Sequence, residues 1–186
     1  MKKMILGGIV GGIIVFIWGA ISHTVLPIGE AGFSQLANED SVLQSLQGNI
    51  DRPGMYFFPW VDHHAGKEAR QAWEQKYKTG PHGLLIYSPT GNEPMPPSTL
   101  LMELLTDIVA ALIAAFLLSK MSGTFWGRVT AVMLMGLFAW VAVSWPYWNW
   151  YQFPAGFTIA EGIDQVVGWF LAGLALAKIV KPSEEA

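Results

Sequence analysis

Four long apolar runs alternate with polar stretches along this chain, and one extended polar stretch separates the first run from the other three. The first run, Met4–Ser22, is about 28 Å long at ~1.5 Å per helical residue, close to the hydrocarbon thickness of a bilayer. The second, Leu100–Leu118, is opened by Pro96-Pro97-Ser98-Thr99. The third, Val129–Trp145, is closed by Pro146, with Trp126 and Trp148 extending it into headgroups. The fourth, Phe157–Ala177, is followed by Lys178 and Lys181 and stopped by Pro182. This pattern predicts an all-α membrane protein with four transmembrane helices.

A small α+β extracytoplasmic segment is predicted between the first two helices. Residues 24–98 carry too many turn formers and charges to span. Asn38-Glu39-Asp40 predicts a capped helix start, with Gly48 ending that helix. Met55–Trp60 reads as an aromatic strand and Gly83–Ser88 as a second one. Between them, Ala65–Lys78 reads as a helix with Ala69, Ala72, Trp73 and Tyr77 on one face and a Glu74–Lys78 pair. The ~20 residues between the strands are enough for a crossover. The predicted divisions are 1–23 for the first span, 24–98 for the outer segment, 99–182 for the remaining spans and 183–186 for a cytoplasmic tail.

Composition agrees with the pattern. Hydrophobic residues make up 52% of the 186 residues and charged ones 13%, against about 25% charged in ordinary globular chains. A net charge of −3 and no basic patch interleaved with aromatics argue against a nucleic-acid partner. Without cysteine there are no disulfides, thiolate metal sites or cysteine nucleophiles.

Charge placement orients the spans. Lys2, Lys3, Lys120, Arg128, Lys178 and Lys181 fall on one side if the helices alternate, and the link from Tyr147 to Gly156 has no charge. The basic side is expected in the cytoplasm, with both termini. The long loop then faces outward, and Trp145, Tyr147, Trp148, Trp150 and Tyr151 form an outer aromatic belt. Anchoring in headgroups is weighed there against a stacking site for a flat ligand. The basic start and Ala20-Ile21-Ser22 also allow a cleaved signal, but the apolar stretch exceeds the usual signal core, so an uncleaved anchor is expected.

Polar groups inside spans are the candidate chemistry, because burying them in lipid is expensive. Glu103 and Asp107 lie one turn apart on the second span, on a face continued by Ala110 and Ala114. Asp164 sits on the fourth span, above Gly168 and Ala172. Asp107 and Asp164 come out at similar depth, about 10 Å from the outer end, where the two could meet. All three acids are expected to face the bundle interior. Thr158-Ile159-Ala160-Glu161 matches a capping box, which gives Glu161 a structural explanation. His23 ends the first span near the level of Glu103.

His23, His63 and His64 are weak metal candidates, and with His82 they lack any zinc-type spacing, so no metal site and no cofactor are expected. Interhelical hydrogen bonding is weighed against proton or cation handling for the acids. Gly7, Gly8, Gly11 and Gly12 form overlapping G-x-x-x-G pairs that admit another helix closely, whether from this chain, a second copy or another protein. No phosphate loop, serine-hydrolase elbow, zincin motif or dinucleotide fingerprint occurs.

The stretch Trp18-Gly19-Ala20-Ile21-Ser22-His23-Thr24-Val25-Leu26-Pro27, with Glu39-Asp40 and Pro53-Gly54-Met55-Tyr56-Phe57-Phe58-Pro59, resembles a group of small uncharacterised bacterial inner-membrane proteins. The resemblance implies that location and carries no catalytic residue. The functional expectation is a non-catalytic integral membrane subunit or accessory protein, partnered by the lipid bilayer and by other membrane subunits or further copies of itself. The alternative is a small proton-, cation- or metal-handling membrane protein built on the intramembrane carboxylates.

Overall fold

The computed structural model describes residues 1–182, so the predicted tail at 183–186 lies outside the described residues. Six helices and two strands follow in the order α1 (Lys2–Thr24), α2 (Glu39–Asn49), β1 (Gly54–Phe58), α3 (Lys67–Thr79), β2 (Gly83–Tyr87), α4 (Pro97–Ser119), α5 (Phe125–Tyr151) and α6 (Ala155–Ile179). Four of these, α1, α4, α5 and α6, are long and apolar enough to cross a membrane. The chain divides into a helical bundle, built from residues 1–33 and 94 onward, and a separate unit at 34–93.

In the bundle, α1 packs along α4 on one side and α6 on the other, and α5 packs along α6. The glycines of α1 make this possible, and they are spent inside the chain. A Cβ at Gly12 would lie 2.5 Å from the Ile108 Cα, and one at Gly8 would lie 2.9 Å from the Leu112 Cα. On the adjoining face, Gly7 and Gly11 abut Val180 and Leu176 of α6. The same device joins α5 to α6, where a Cβ on Gly136 would meet the Gln165 carbonyl at 2.5 Å. Close approach of this kind lets backbones pack where lipid supplies no hydrophobic drive between helices. The apolar core gathers at the end of the bundle near the α6 C-terminus, from Ala114, Ala115, Leu118, Val132, Ala172, Leu176 and Val180.

Arg128 locks that end. Its guanidinium is buried and donates to Leu118 O at 3.0 Å, to Val180 O at 2.8 Å and to Met121 O. Carbonyls at helix C-termini have no intrahelical donor and carry the negative end of the dipole. One cation on α5 therefore satisfies the ends of both α4 and α6. The sequence marks Arg128 only as one charge in an orientation count.

Several predicted boundaries shift. Pro146 does not close the third span, because α5 continues through it to Tyr151. A proline costs one intrahelical bond, and transmembrane helices tolerate that loss. The predicted outer link from Tyr147 thus shrinks to residues 152–154, with Gln152 in the left-handed conformation at φ 58°. Helix α6 starts at Ala155, so Thr158 is not an N-cap; its Oγ1 donates back to Pro154 O at 3.3 Å, and the expected capping box is absent. Residues 25–33, read from the sequence as part of the outer segment, belong to the bundle. Gly29 N donates to Ser22 O at 3.3 Å, and Gly32, at φ 86°, lies against Phe157 so closely that a Cβ would sit 2.7 Å from its Cβ.

In the 34–93 unit, β1 and β2 pair antiparallel, with Phe58 opposite Gly83 and Met55 opposite Ile86. The expected crossover is therefore wrong. Residues 59–66 at ~3.3 Å each can run the length of α3, so the helix returns the chain to the end of the sheet it left. Asn38 occupies the N-cap position of α2 without a side-chain cap bond, and Gly48 lies within that helix instead of ending it. Helix α3 covers part of one sheet face: Tyr77 stacks on Phe57 at 6.2 Å, and Trp73 Nε1 donates to Pro59 O at 2.8 Å. The Glu74–Lys78 pair forms at 3.8 Å on an exposed surface.

Candidate functional site

The polar cluster of the bundle forms where the end of α1 meets the beginning of α6. These helices run antiparallel, which places His23 beside Asp164 and Trp18 beside Gly168. His23 Nε2 lies 2.8 Å from Asp164 Oδ2; the Asp164 side chain is 12% exposed and that of His23 51%. Asp164 Oδ1 is buried without a hydrogen-bond partner among the described residues, as is Trp18 Nε1. Glu161, one turn before Asp164, joins both residues in lining a cavity of about 150 Å³.

Apolar residues complete the cavity. Ile28, Gly29 and Phe33 come from the turn after α1, and Phe157 and Ala160 from the first turns of α6. Phe33 packs edge-on against Phe157 at 6.0 Å. The cavity is therefore an imidazole with two carboxylates on one side and aromatic edges on the other. Such a set can exchange a proton between imidazole and carboxylate, or accept hydrogen bonds from a small cationic guest.

The sequence-predicted site residues thus separate into two groups. His23, Glu161 and Asp164 come together. Glu103 and Asp107 do not join them, and no hydrogen bond links Asp107 to Asp164 among the described residues. Glu103, expected to face inward, is exposed, while Asp107 is half-buried. The buried part of α4 is its second half, through Ala111, Ala114, Ala115 and Leu118, and Glu103 lies on the exposed first turns of the same face. Helix α6 packs along α1 and barely touches α4, so equal depth does not bring the two aspartates together.

His63 and His64 lie in the 34–93 unit, away from any group of three metal-type ligands among the described residues. The glycines Gly7, Gly8, Gly11 and Gly12 are packing positions within the chain. Sequence reasoning missed the cavity's apolar wall, although Pro27, Gly29 and Gly32 signal a tight turn just after the first span. A second cleft, in the 34–93 unit, was missed entirely. No family model, curated protein or solved structure matches this chain.

Proposed function

We propose that this chain is a non-catalytic integral membrane subunit, of bacterial inner-membrane type, whose outward-facing unit at 34–93 docks on another membrane protein. The observation that carries this is the state of that unit: none of its residues is buried. Its two-stranded sheet has one face partly covered by α3, and a two-stranded sheet is marginal alone. The register partners Met55 and Ile86 are 65% and 72% exposed, and Leu36 before α2 and Val42 and Leu43 on it are exposed too. Several large apolar side chains left exposed on a small unit outside a bilayer favour an interaction site. The glycine face of α1, in contrast, is spent in cis and offers a partner nothing.

Hydrogen exchange tests this reading. Backbone amides of 34–93 in the purified single chain are expected to exchange fast, and to slow by about tenfold or more in the native membrane. Full protection in the monodisperse chain, or equal rates in both settings, overturns it.

A second reading, proton or small-cation handling, is favoured by Asp164, whose buried Oδ1 has no partner beside the cavity. It predicts that Asp164→Asn with Glu161→Gln abolishes host function while the docked assembly survives. Unchanged host function in that variant removes it.

A further inference from the structure

The 34–93 unit contains a cleft of about 320 Å³, at the end of β1 that faces the first turns of α3. The geometry points to this cleft as a saccharide-binding site sized for a disaccharide unit of a glycan. This is independent of whether the unit docks on a partner, because Met55 and Ile86 lie toward the other end of the hairpin.

Three aromatic rings, Phe57, Trp60 and Trp73, line the cleft together with Asp62, Arg70 and Glu74. Two of the rings are fixed. Trp73 spends its N–H on Pro59 O at 2.8 Å and leans on Tyr77 at 5.6 Å, and Phe57 stacks on Tyr77 at 6.2 Å. Trp60 is different: it is 68% exposed, held edge-on to His63 at 5.9 Å, and presents ring surface to solvent. An uncovered indole gains when the apolar face of a ligand lies on it.

The charged groups are set out around these rings without neutralising one another. Arg70 is pinned by its own loop, with Nε donating to Ala65 O at 3.1 Å and one terminal nitrogen to His63 O at 2.7 Å. It makes no ion pair among the described residues, and it lines the cleft. Asp62 uses Oδ1 on the His64 N–H at 2.8 Å, and Glu74 pairs with Lys78 at 3.8 Å.

This combination selects the ligand class. An anion would meet Asp62 and Glu74, and a cation would meet Arg70. A neutral polyol meets neither penalty, since each hydroxyl both donates and accepts. It can accept from the guanidinium and donate to the carboxylates in charge-assisted bonds. The C–H face of a pyranose ring is weakly positive and lies favourably on the negative face of an indole. The volume falls at the lower end of small-ligand sites, where a few polar groups orient a ligand held on apolar walls.

The test uses the full chain in lipid nanodiscs prepared without glycosidic detergent. Maltose, cellobiose and N,N′-diacetylchitobiose are titrated by calorimetry and by saturation-transfer NMR, beside glycine betaine, phosphocholine and inorganic phosphate. At least one disaccharide is expected to bind with Kd at or below about 1 mM. Trp60→Ala is expected to weaken it at least tenfold, with Trp60→Phe recovering part of the loss. Arg70→Met can disturb the loop it pins, so Glu74→Gln, on an exposed side chain, serves as the second polar variant and is expected to weaken binding severalfold. The proposal is overturned if no disaccharide binds up to about 20 mM. Tighter binding of betaine, phosphocholine or phosphate than of every disaccharide overturns it too, as does saccharide binding that Trp60→Ala leaves unchanged.

Discussion

His23 Nε2 lies 2.8 Å from Asp164 Oδ2, joining the last turn of α1 to the third turn of α6 across an antiparallel helix contact. The two partners are unequal, since the aspartate is largely buried and the histidine half-exposed. Removing the exposed member therefore strands the buried one. His23→Ala is expected to lower stability by about 1–3 kcal/mol, the cost of an unsatisfied buried acceptor. Asp164→Asn keeps an oxygen for the ring and should cost less. Thermal unfolding of the purified chain checks the order, and the double variant should fall short of the sum of the singles.

Arg128 holds three carbonyls from the ends of α4 and α6 and the intervening turn. Arg128→Met is expected to destabilise the bundle by about 2–4 kcal/mol, since it removes a buried charge-assisted network from two helix ends. Arg128→Lys should recover less than half of that, because an ammonium cannot span three acceptors in the guanidinium plane. Circular dichroism melts in one detergent would reveal equal behaviour of Met and Lys, which contradicts the network.

The α1 glycines differ sharply in surroundings. Gly12→Ala would place a Cβ against the Ile108 backbone, whereas nothing lies within 4 Å of a Cβ at Gly19. The first is expected to cost about 1–3 kcal/mol by overpacking, the second close to nothing. The monomer itself should lose stability in Gly12→Ala. If the melting point holds and only a higher-order band disappears, the glycine face works between chains instead.

The basic-residue asymmetry predicts a topology with both termini in the cytoplasm. Single cysteines at positions 45 and 92 are expected to react with an impermeant thiol reagent from outside, and one at position 122 is not. Reaction at 122 in sealed cells contradicts the N-in, C-in arrangement.

Met55 and Ile86 bear on partnering. Both are exposed, so Met55→Thr with Ile86→Thr should change the stability of the isolated chain by less than about 0.5 kcal/mol. Retention of the chain in its native assembly, followed by blue-native electrophoresis, is expected to fall. Unchanged retention argues that the exposed hairpin is not the docking surface.

The sequence by itself determined the number of apolar helices, the existence of α2, β1, α3 and β2, and the close-approach glycines of α1, Gly7, Gly8, Gly11 and Gly12, but not Gly136 of α5. These depend on local periodicity, turn chemistry and side-chain size, all properties of neighbouring residues. It also singled out His23, Glu161 and Asp164, since an ionisable group in an apolar run is conspicuous wherever its helix packs. What only the tertiary structure decided was pairing. Asp164 met His23 and not Asp107, because α6 packs along α1 far more than along α4, and which helices become neighbours is set by packing. The strands closed antiparallel because a loop as long as α3 returned the chain to its starting end. Arg128 became a buried clamp because two helix ends converged on it from positions 118 and 180, a coincidence in space that no local pattern encodes.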